Sequence, residues 1–272
     1  MMFARIEKLV RFTRWRLAPQ HCLPLWWHVG RPNFGDDINP TFFGMVSGRC
    51  TRFASDRRRP HLLGAGSILE RATPMSIVCG SGLLQPPHGR RAPQSTLVAV
   101  RGEQSLAAFA PRGDVFLGDP IVLVDAWATR GVIRHRFGLV PHVRSVPRWR
   151  QLNTRGLHLI DPGLPPWQVV EEIGACETVL SQSLHGLIVA DALGVPNVWI
   201  APSRDMVGDR FKFDDYFSTL DVAKECVPES RPVFDTPGSF AAGISRYRYS
   251  KAEYRAVLAR ACAEFAAASA AA

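Results

Sequence analysis

Two serines, a histidine and a glycine are grouped in Ser181-Gln182-Ser183-Leu184-His185-Gly186. The apolar run before them predicts a strand, and residues 187–193 after them predict a helix. N–H groups at a helix start point at any anion placed there. The hydroxyls of Ser181 and Ser183 add donors, and Gly186 lets the backbone come close. His185 at this junction is a candidate proton donor near neutral pH. Arg101 opens Arg101-Gly102-Glu103-Gln104-Ser105, where a second apolar run ends. Its guanidinium fork suits a carboxylate or phosphate, with Ser105 as a further donor; a salt bridge between elements is the structural alternative. Asp119, in Gly118-Asp119-Pro120, either takes a proton from a hydroxyl, orients an imidazole, or caps a turn. The fourth cluster is Asn33-Phe34-Gly35-Asp36-Asp37. Either carboxylate there can orient a reacting group or cap the next helix, and spacing does not separate Asp36 from Asp37.

Other chemistries lack their motifs. Gly64-Ala65-Gly66-Ser67 and Gly80-Ser81-Gly82 complete neither a dinucleotide fingerprint nor a phosphate loop with its lysine, and are expected only to wall a cleft. There is no HExxH motif or compact His/Asp group for a metal, and neither Ser181 nor Ser183 sits in a GxSxG elbow.

The elements that must carry these residues follow one grammar: a short apolar run, then a Gly-rich break. Runs at 25–28, 61–64, 76–79, 96–100 and 115–117 predict buried strands, with helices at 37–46 and 103–109. Residues 126–136 suggest a lobe boundary. Strands at 137–141, 158–160, 178–180 and 195–200 then alternate with helices at 167–174 and 187–193. The expected fold is α/β, with two Rossmann-like domains facing a cleft: residues 1–130 with a basic N-terminal helix, residues 131–235, and a helical Ala-rich tail at 236–272.

At 272 residues the chain can bury a large core, and 46% hydrophobic against 21% charged residues argues against disorder. The formal net charge of +9 suits an anionic substrate, an anionic membrane surface or nucleic acid, although no nucleic-acid recognition motif is present. The six cysteines are scattered without a CxxC pair and read as reduced thiols, with neither a zinc site nor a disulfide expected. No run reaches the roughly 18 apolar residues of a membrane span. Phe3, Ile6, Leu9, Val10, Phe12 and Trp15 alternate with Arg5, Lys8, Arg11, Arg14 and Arg16 at helical spacing. That helix either packs on the domain or lies on an anionic membrane. The basic stretches at 57–59, 88–91 and 144–155 read as solvated loops.

Taken in order, the four clusters, together with Ala190-Asp191-Ala192-Leu193-Gly194-Val195-Pro196, resemble the polysaccharide pyruvyltransferase family over about residues 26–216. The segment Asp209-Arg210-Phe211-Lys212-Phe213-Asp214-Asp215-Tyr216 is similar to one in short bacterial ketal pyruvyltransferases of exopolysaccharide synthesis, xanthan-type or succinoglycan-type. The resemblance implies a fold like the two-lobed (GT-B-like) glycosyltransferases. It implies phosphoenolpyruvate as donor, a sugar diol of a lipid-linked oligosaccharide as acceptor, and work at the cytoplasmic face of the inner membrane without metal or redox cofactor. It further implies that His185 is catalytic with Asp119 and Asp36 as cleft acids. Arg101, Ser105, Ser181, Ser183 and Gly186 would hold the donor. Asn33, Asp37, Arg210 and Lys212 would complete the cleft. The competing expectations are a nucleotide-sugar-dependent glycosyltransferase of the same shape and a non-catalytic, membrane-binding assembly protein.

Overall fold

In a computed structural model of the chain, residues 2–89, 94–109, 113–152, 156–202, 206–229 and 236–271 are described. Side chains are described within those ranges except at 2–5, 7, 8, 11 and 269–271. The expected membrane-facing roles of Phe3, Arg5, Lys8 and Arg11, parts of the basic stretches at 88–91 and 144–155, and the boundary placed at 235 therefore lie outside the described residues.

Two separate parallel sheets organise the chain. The first contains β1 (Leu23–Trp26), β2 (Thr51–Phe53), β3 (His61–Leu63), β4 (Ser76–Ser81), β5 (Thr96–Val100) and β6 (Phe116–Leu117), in the order β2-β1-β3-β4-β5-β6. The second contains β7 (His135–Val140), β8 (Leu157–Leu159), β9 (Cys176–Ser181), β10 (Asn197–Ile200) and β11 (Cys226–Val227), in the order β11-β10-β9-β7-β8. Parallel strands need crossovers that cover the sheet faces, so their sequences are apolar runs rather than alternating patterns. Strands β2 (TRF) and β11 (CV) escape sequence reading because neither stands in a continuous apolar run, unlike the equally short β3 and β6.

Helices α1 (Met2–Arg16), α2 (Phe34–Asp37), α3 (Asn39–Ser47), α4 (Glu103–Ala107), α5 (Val146–Gln151), α6 (Pro166–Gly174), α7 (Leu184–Ala192), α8 (Phe211–Phe217) and α9 (Lys251–Ala271) accompany these sheets. Two expectations change. The stretch 144–155 is not simply a basic loop, because α5 forms within it and buries Val146 and Trp149. Helix α7 starts three residues earlier than its apolar run suggests. Ser183 caps it by accepting from the Gly186 N–H at 3.3 Å, so His185 stands inside the first turn rather than before it.

One apolar core links the lobes: Phe34 and Ile38 from the first belong to the same buried cluster as Val140, Leu184 and Leu187 from the second. The backbone N–H of Phe34 donates to Pro162 O at 2.7 Å, a direct bond from the α2 loop to the second lobe. The chain then returns, and α9 lies against the first lobe. Tyr254 stacks on Phe116 at 4.7 Å and donates to Gly118 O at 2.6 Å, while Leu258 and Cys262 are fully buried. At the other end, Phe12 of α1 packs edge-on against Phe53, while Ile6, Leu9 and Val10 are exposed. No helix among the described residues is long and apolar enough to cross a membrane.

The reduced-thiol expectation is overturned at one pair. Cys22 and Cys50 form a disulfide joining the residues just before β1 and β2. These strands are adjacent and parallel, so residues 28 apart in sequence meet at one sheet end. Scatter along a chain says little about distance once parallel strands align their starts. Cys79, Cys176, Cys226 and Cys262 are free thiols.

Candidate functional site

The carboxyl end of β9 turns into α7 through a tight hydrogen-bonded hook. Ser181 Oγ accepts from the Ser183 N–H at 3.0 Å and donates to Ser183 O at 2.9 Å. Gly186 follows from this geometry: a Cβ there would come within 2.4 Å of Ser181 Oγ. Ser181 is fully buried, so its hydroxyl shapes the turn and does not reach a ligand. Ser183 and His185 line a cleft of about 430 Å³.

His185 is held from two sides. Its Nε2 lies 3.6 Å from Asp119 Oδ2, and neither atom has a hydrogen-bond partner among the described residues. The other carboxylate oxygen accepts from the Ile121 N–H at 3.0 Å, which caps the 3-10 helix Pro120–Ala126. Asp119 thus caps this turn, one of its expected roles, and lies beside the imidazole without a hydrogen bond to it. Being fully buried, it does not reach a substrate hydroxyl. On the opposite side, a Cβ on Gly35 would sit 2.1 Å from His185 Nδ1. Only a glycine lets the α2 loop approach the ring this closely. The ring thus has Nε2 turned to Asp119 and Nδ1 turned to the α2 loop.

The first lobe contributes Asn33 and Asp36 to the cleft wall. Asn33 Nδ2 donates to Asp36 Oδ2 at 2.7 Å, fixing one carboxylate oxygen. Asp37 instead accepts from the Asn33 N–H at 3.2 Å and steadies the loop. Asn39, which sequence reasoning missed, is buried and anchors this loop. Its amide donates to Asp36 O and Ala65 O and accepts from the Ala65 N–H at 2.7 Å. Gly64 leaves room for that amide, because a Cβ there would meet Asn39 Oδ1 at 2.0 Å. The Gly64–Ser67 turn is thereby explained, and Ser67 itself lines the cleft.

Arg101 departs from its expected place. It is fully buried beneath the cleft, and all three nitrogens are engaged with protein: Nε with Asp215 Oδ2 at 2.9 Å, Nη1 with Ser67 Oγ at 2.7 Å, Nη2 with Leu83 O at 2.5 Å. Ser105 is buried beside it, donating from its N–H and hydroxyl to Asp215 at 2.8 and 2.6 Å. The structural alternative, a salt bridge between elements, therefore describes Arg101. Asp215, three residues past Lys212, lies in the 209–216 segment, but nothing in the sequence pairs it with Arg101. Arg210 also leaves the cleft: it pairs with Asp214 at 3.0 Å, one helical turn on, and covers the Trp199 ring.

Lys212 does line the cleft. Burial, then the nearby Arg101 cation, lower its ammonium pKa to about 8, with Asp36 opposing the shift. Arg31, Arg71 and Arg144 bring further positive charge, against the carboxylates of Asp36 and Glu70. These cations carry no motif, and only the folded cleft collects them. Among the described residues, the one His/Cys/Asp/Glu group with metal-ligand spacing is His21, Cys22 and Cys50, away from this cleft, and its two cysteines are the disulfide pair.

Two parallel sheets, a histidine beside a buried aspartate, and a basic cleft define an α/β protein whose cleft chemistry suits an anionic ligand. Residues 77–204, a little under half of the chain, match the family model described as polysaccharide pyruvyl transferase. Succinoglycan biosynthesis protein ExoV of Rhizobium meliloti is 30% identical over 210 residues, 73% of this chain and 65% of that protein. An uncharacterized protein of Acanthamoeba polyphaga mimivirus is 25% identical over 189 residues, 65% of this chain and 66% of its own length. The chain thus spans just under two thirds of the curated relatives it matches. A functionally uncharacterized protein of Klebsiella pneumoniae superposes with a TM-score of 0.44 at 11% identity, over 85% of this chain and 100% of that one.

Proposed function

We propose that this chain transfers the pyruvyl group of phosphoenolpyruvate onto two hydroxyls of a terminal hexose in a lipid-linked exopolysaccharide repeat unit. The product is a cyclic ketal, and inorganic phosphate is released. The observation that carries the reading is the His185–Asp119 pair opening on a basic cleft, in a chain whose residues 77–204 match a family model named for pyruvyl transfer. ExoV's name, as a succinoglycan biosynthesis protein, supports an exopolysaccharide acceptor. In this reading the two sheets form Rossmann-like lobes facing a cleft in the GT-B manner, and the chain works at the cytoplasmic face of the inner membrane.

The chemistry then proceeds through named groups. His185 delivers a proton to the donor's methylene carbon, which becomes a methyl group, and positive charge grows on the neighbouring carbon that bears the phosphate. The buried Asp119 carboxylate offsets the charge of the imidazolium before transfer. A first sugar hydroxyl bonds to that carbon, with Asp36 as the cleft carboxylate that accepts its proton. The carbon–oxygen bond to phosphate breaks, and the electron pair leaves with phosphate. The second hydroxyl closes the ring. Of the two hydroxyl protons released, one replaces the proton given to the methyl group and the other leaves with hydrogen phosphate. The α7 N–H groups, the Ser183 hydroxyl and the cleft cations face the departing anion.

Incubation with phosphoenolpyruvate and a matched lipid-linked oligosaccharide should release phosphate and leave an acid-labile ketal, seen by mass spectrometry and NMR. Intact donor under those conditions, with thermal stabilisation by a nucleotide sugar instead, would overturn the reading.

A further inference from the structure

Arg101 and Asp215 are both fully buried and neither lines the cleft, yet they join the two lobes beneath it. Arg101 follows β5 of the first lobe, and Asp215 belongs to α8 of the second. The Asp215 carboxylate also takes two bonds from Ser105 at the start of α4. The fit is close: a Cβ on Gly82 would come within 2.3 Å of the Arg101 guanidinium carbon, and one on Gly102 within 1.8 Å of Asp215 O. Breaking such a buried pair leaves an uncompensated charge, so α8 has one favoured seat.

Lys212 lies three residues before Asp215, on the same side of that helix. Among the described residues its ammonium has no hydrogen-bond or salt-bridge partner, and its nearest ring contact is with the adjacent Phe213. A half-buried ammonium without a partner is costly unless an anion joins it. Arg71 and Arg144 also line the cleft but are exposed, where water screens a pairing.

We infer that Asp215 is a positioning residue: its pair with Arg101 seats α8 so that Lys212 binds the phosphate or carboxylate of phosphoenolpyruvate in the cleft shared with His185. This rests on the reading of that cleft as the donor site. Arg101 then acts on the donor through Asp215 and Ser67, without touching it.

The test is a double-mutant cycle on the full chain, reading phosphoenolpyruvate affinity by calorimetry without acceptor and KM and kcat with acceptor. Lys212→Gln should weaken donor binding on the order of tenfold to hundredfold, as for loss of a charge-assisted contact. Lys212→Arg should recover most of it, and the KM for the acceptor should stay put. Asp215→Asn should weaken donor binding in wild-type background but add little on top of Lys212→Gln. Should Asp215→Asn not fold, Ser105→Ala removes one bond to the same carboxylate and should give a smaller loss with the same coupling. Unchanged donor affinity in Lys212→Gln, or fully additive losses, would overturn the inference while leaving the transferase reading intact. A wild-type chain that does not bind phosphoenolpyruvate would overturn both; one that binds it without transfer would sink only the function.

Discussion

His185 is the residue on which the proposed chemistry turns, and its surroundings show how one imidazole is fixed. Asp119 holds Nε2 from behind, and Gly35 presses on the Nδ1 side. His185→Ala should keep the fold, since the ring lines a cleft, and lower turnover by roughly 10²- to 10⁴-fold, the range for losing a general acid. Gly35→Ala should reduce kcat with the same intact far-ultraviolet dichroism, because its methyl group must displace the ring; full activity there would mean that the ring position is not critical. Lys212 sets a pH dependence. Its ammonium, facing Arg101 and Asp36 in a cleft that also holds His185, loses its proton near pH 8. Donor affinity should fall as pH rises through 8, and Lys212→Arg should flatten that profile. For stability the sign is opposite. The folded-state pKa lies below the ordinary value of 10.5, so the burial cost is present below about pH 8 and fades as pH rises toward 10.5.

At the scale of elements, strand ends and helix starts do the positioning. β5 delivers Arg101, β6 leads to Asp119, and β9 leads through a serine hook to His185. Helix α9 supports this from outside by packing Tyr254 on Gly118, one residue before Asp119. Leu258→Ala in α9 should lower stability by about 2–5 kcal/mol, as for a fully buried leucine, in a chemical-denaturation experiment. Activity at low temperature should survive if α9 only buttresses the sheet. The βαβ grammar was readable because parallel strands are apolar throughout and their breaks are rich in glycine. The start of α7 was not, because a polar first turn hides a helix from an apolar-period reading. The same holds for α5, whose arginines disguise a helix that buries Val146 and Trp149.

For the whole molecule, contacts that join the lobes include a shared apolar cluster, the Phe34–Pro162 backbone bond, the Trp167–Thr41 side-chain bond and the buried Arg101–Asp215 pair. The disulfide Cys22–Cys50 closes a loop at one edge of the first sheet. Replacing both cysteines with serine should lower unfolding stability by about 2–4 kcal/mol without moving the cleft. Equal stability of the wild-type chain with and without reductant would show that this bond contributes nothing under the conditions tested.

Sequence alone determined the α/β class and the family resemblance, and it singled out His185, Asp119 and Asp36 as candidates: the first two follow strands β9 and β6, and Asp36 lies in α2 at the cleft wall. It could not assign their partners. Whether Asp119 faces a sugar or an imidazole depends on burial, which local spacing does not encode. Arg101 shows the limit best. A guanidinium after a buried strand reads as an anion ligand, and only the tertiary structure supplied Asp215, 114 residues away, to occupy it. The cations that line the cleft, Arg31, Arg71, Arg144 and Lys212, come from both lobes, and the folding of the two sheets around one core is what brings their charges together.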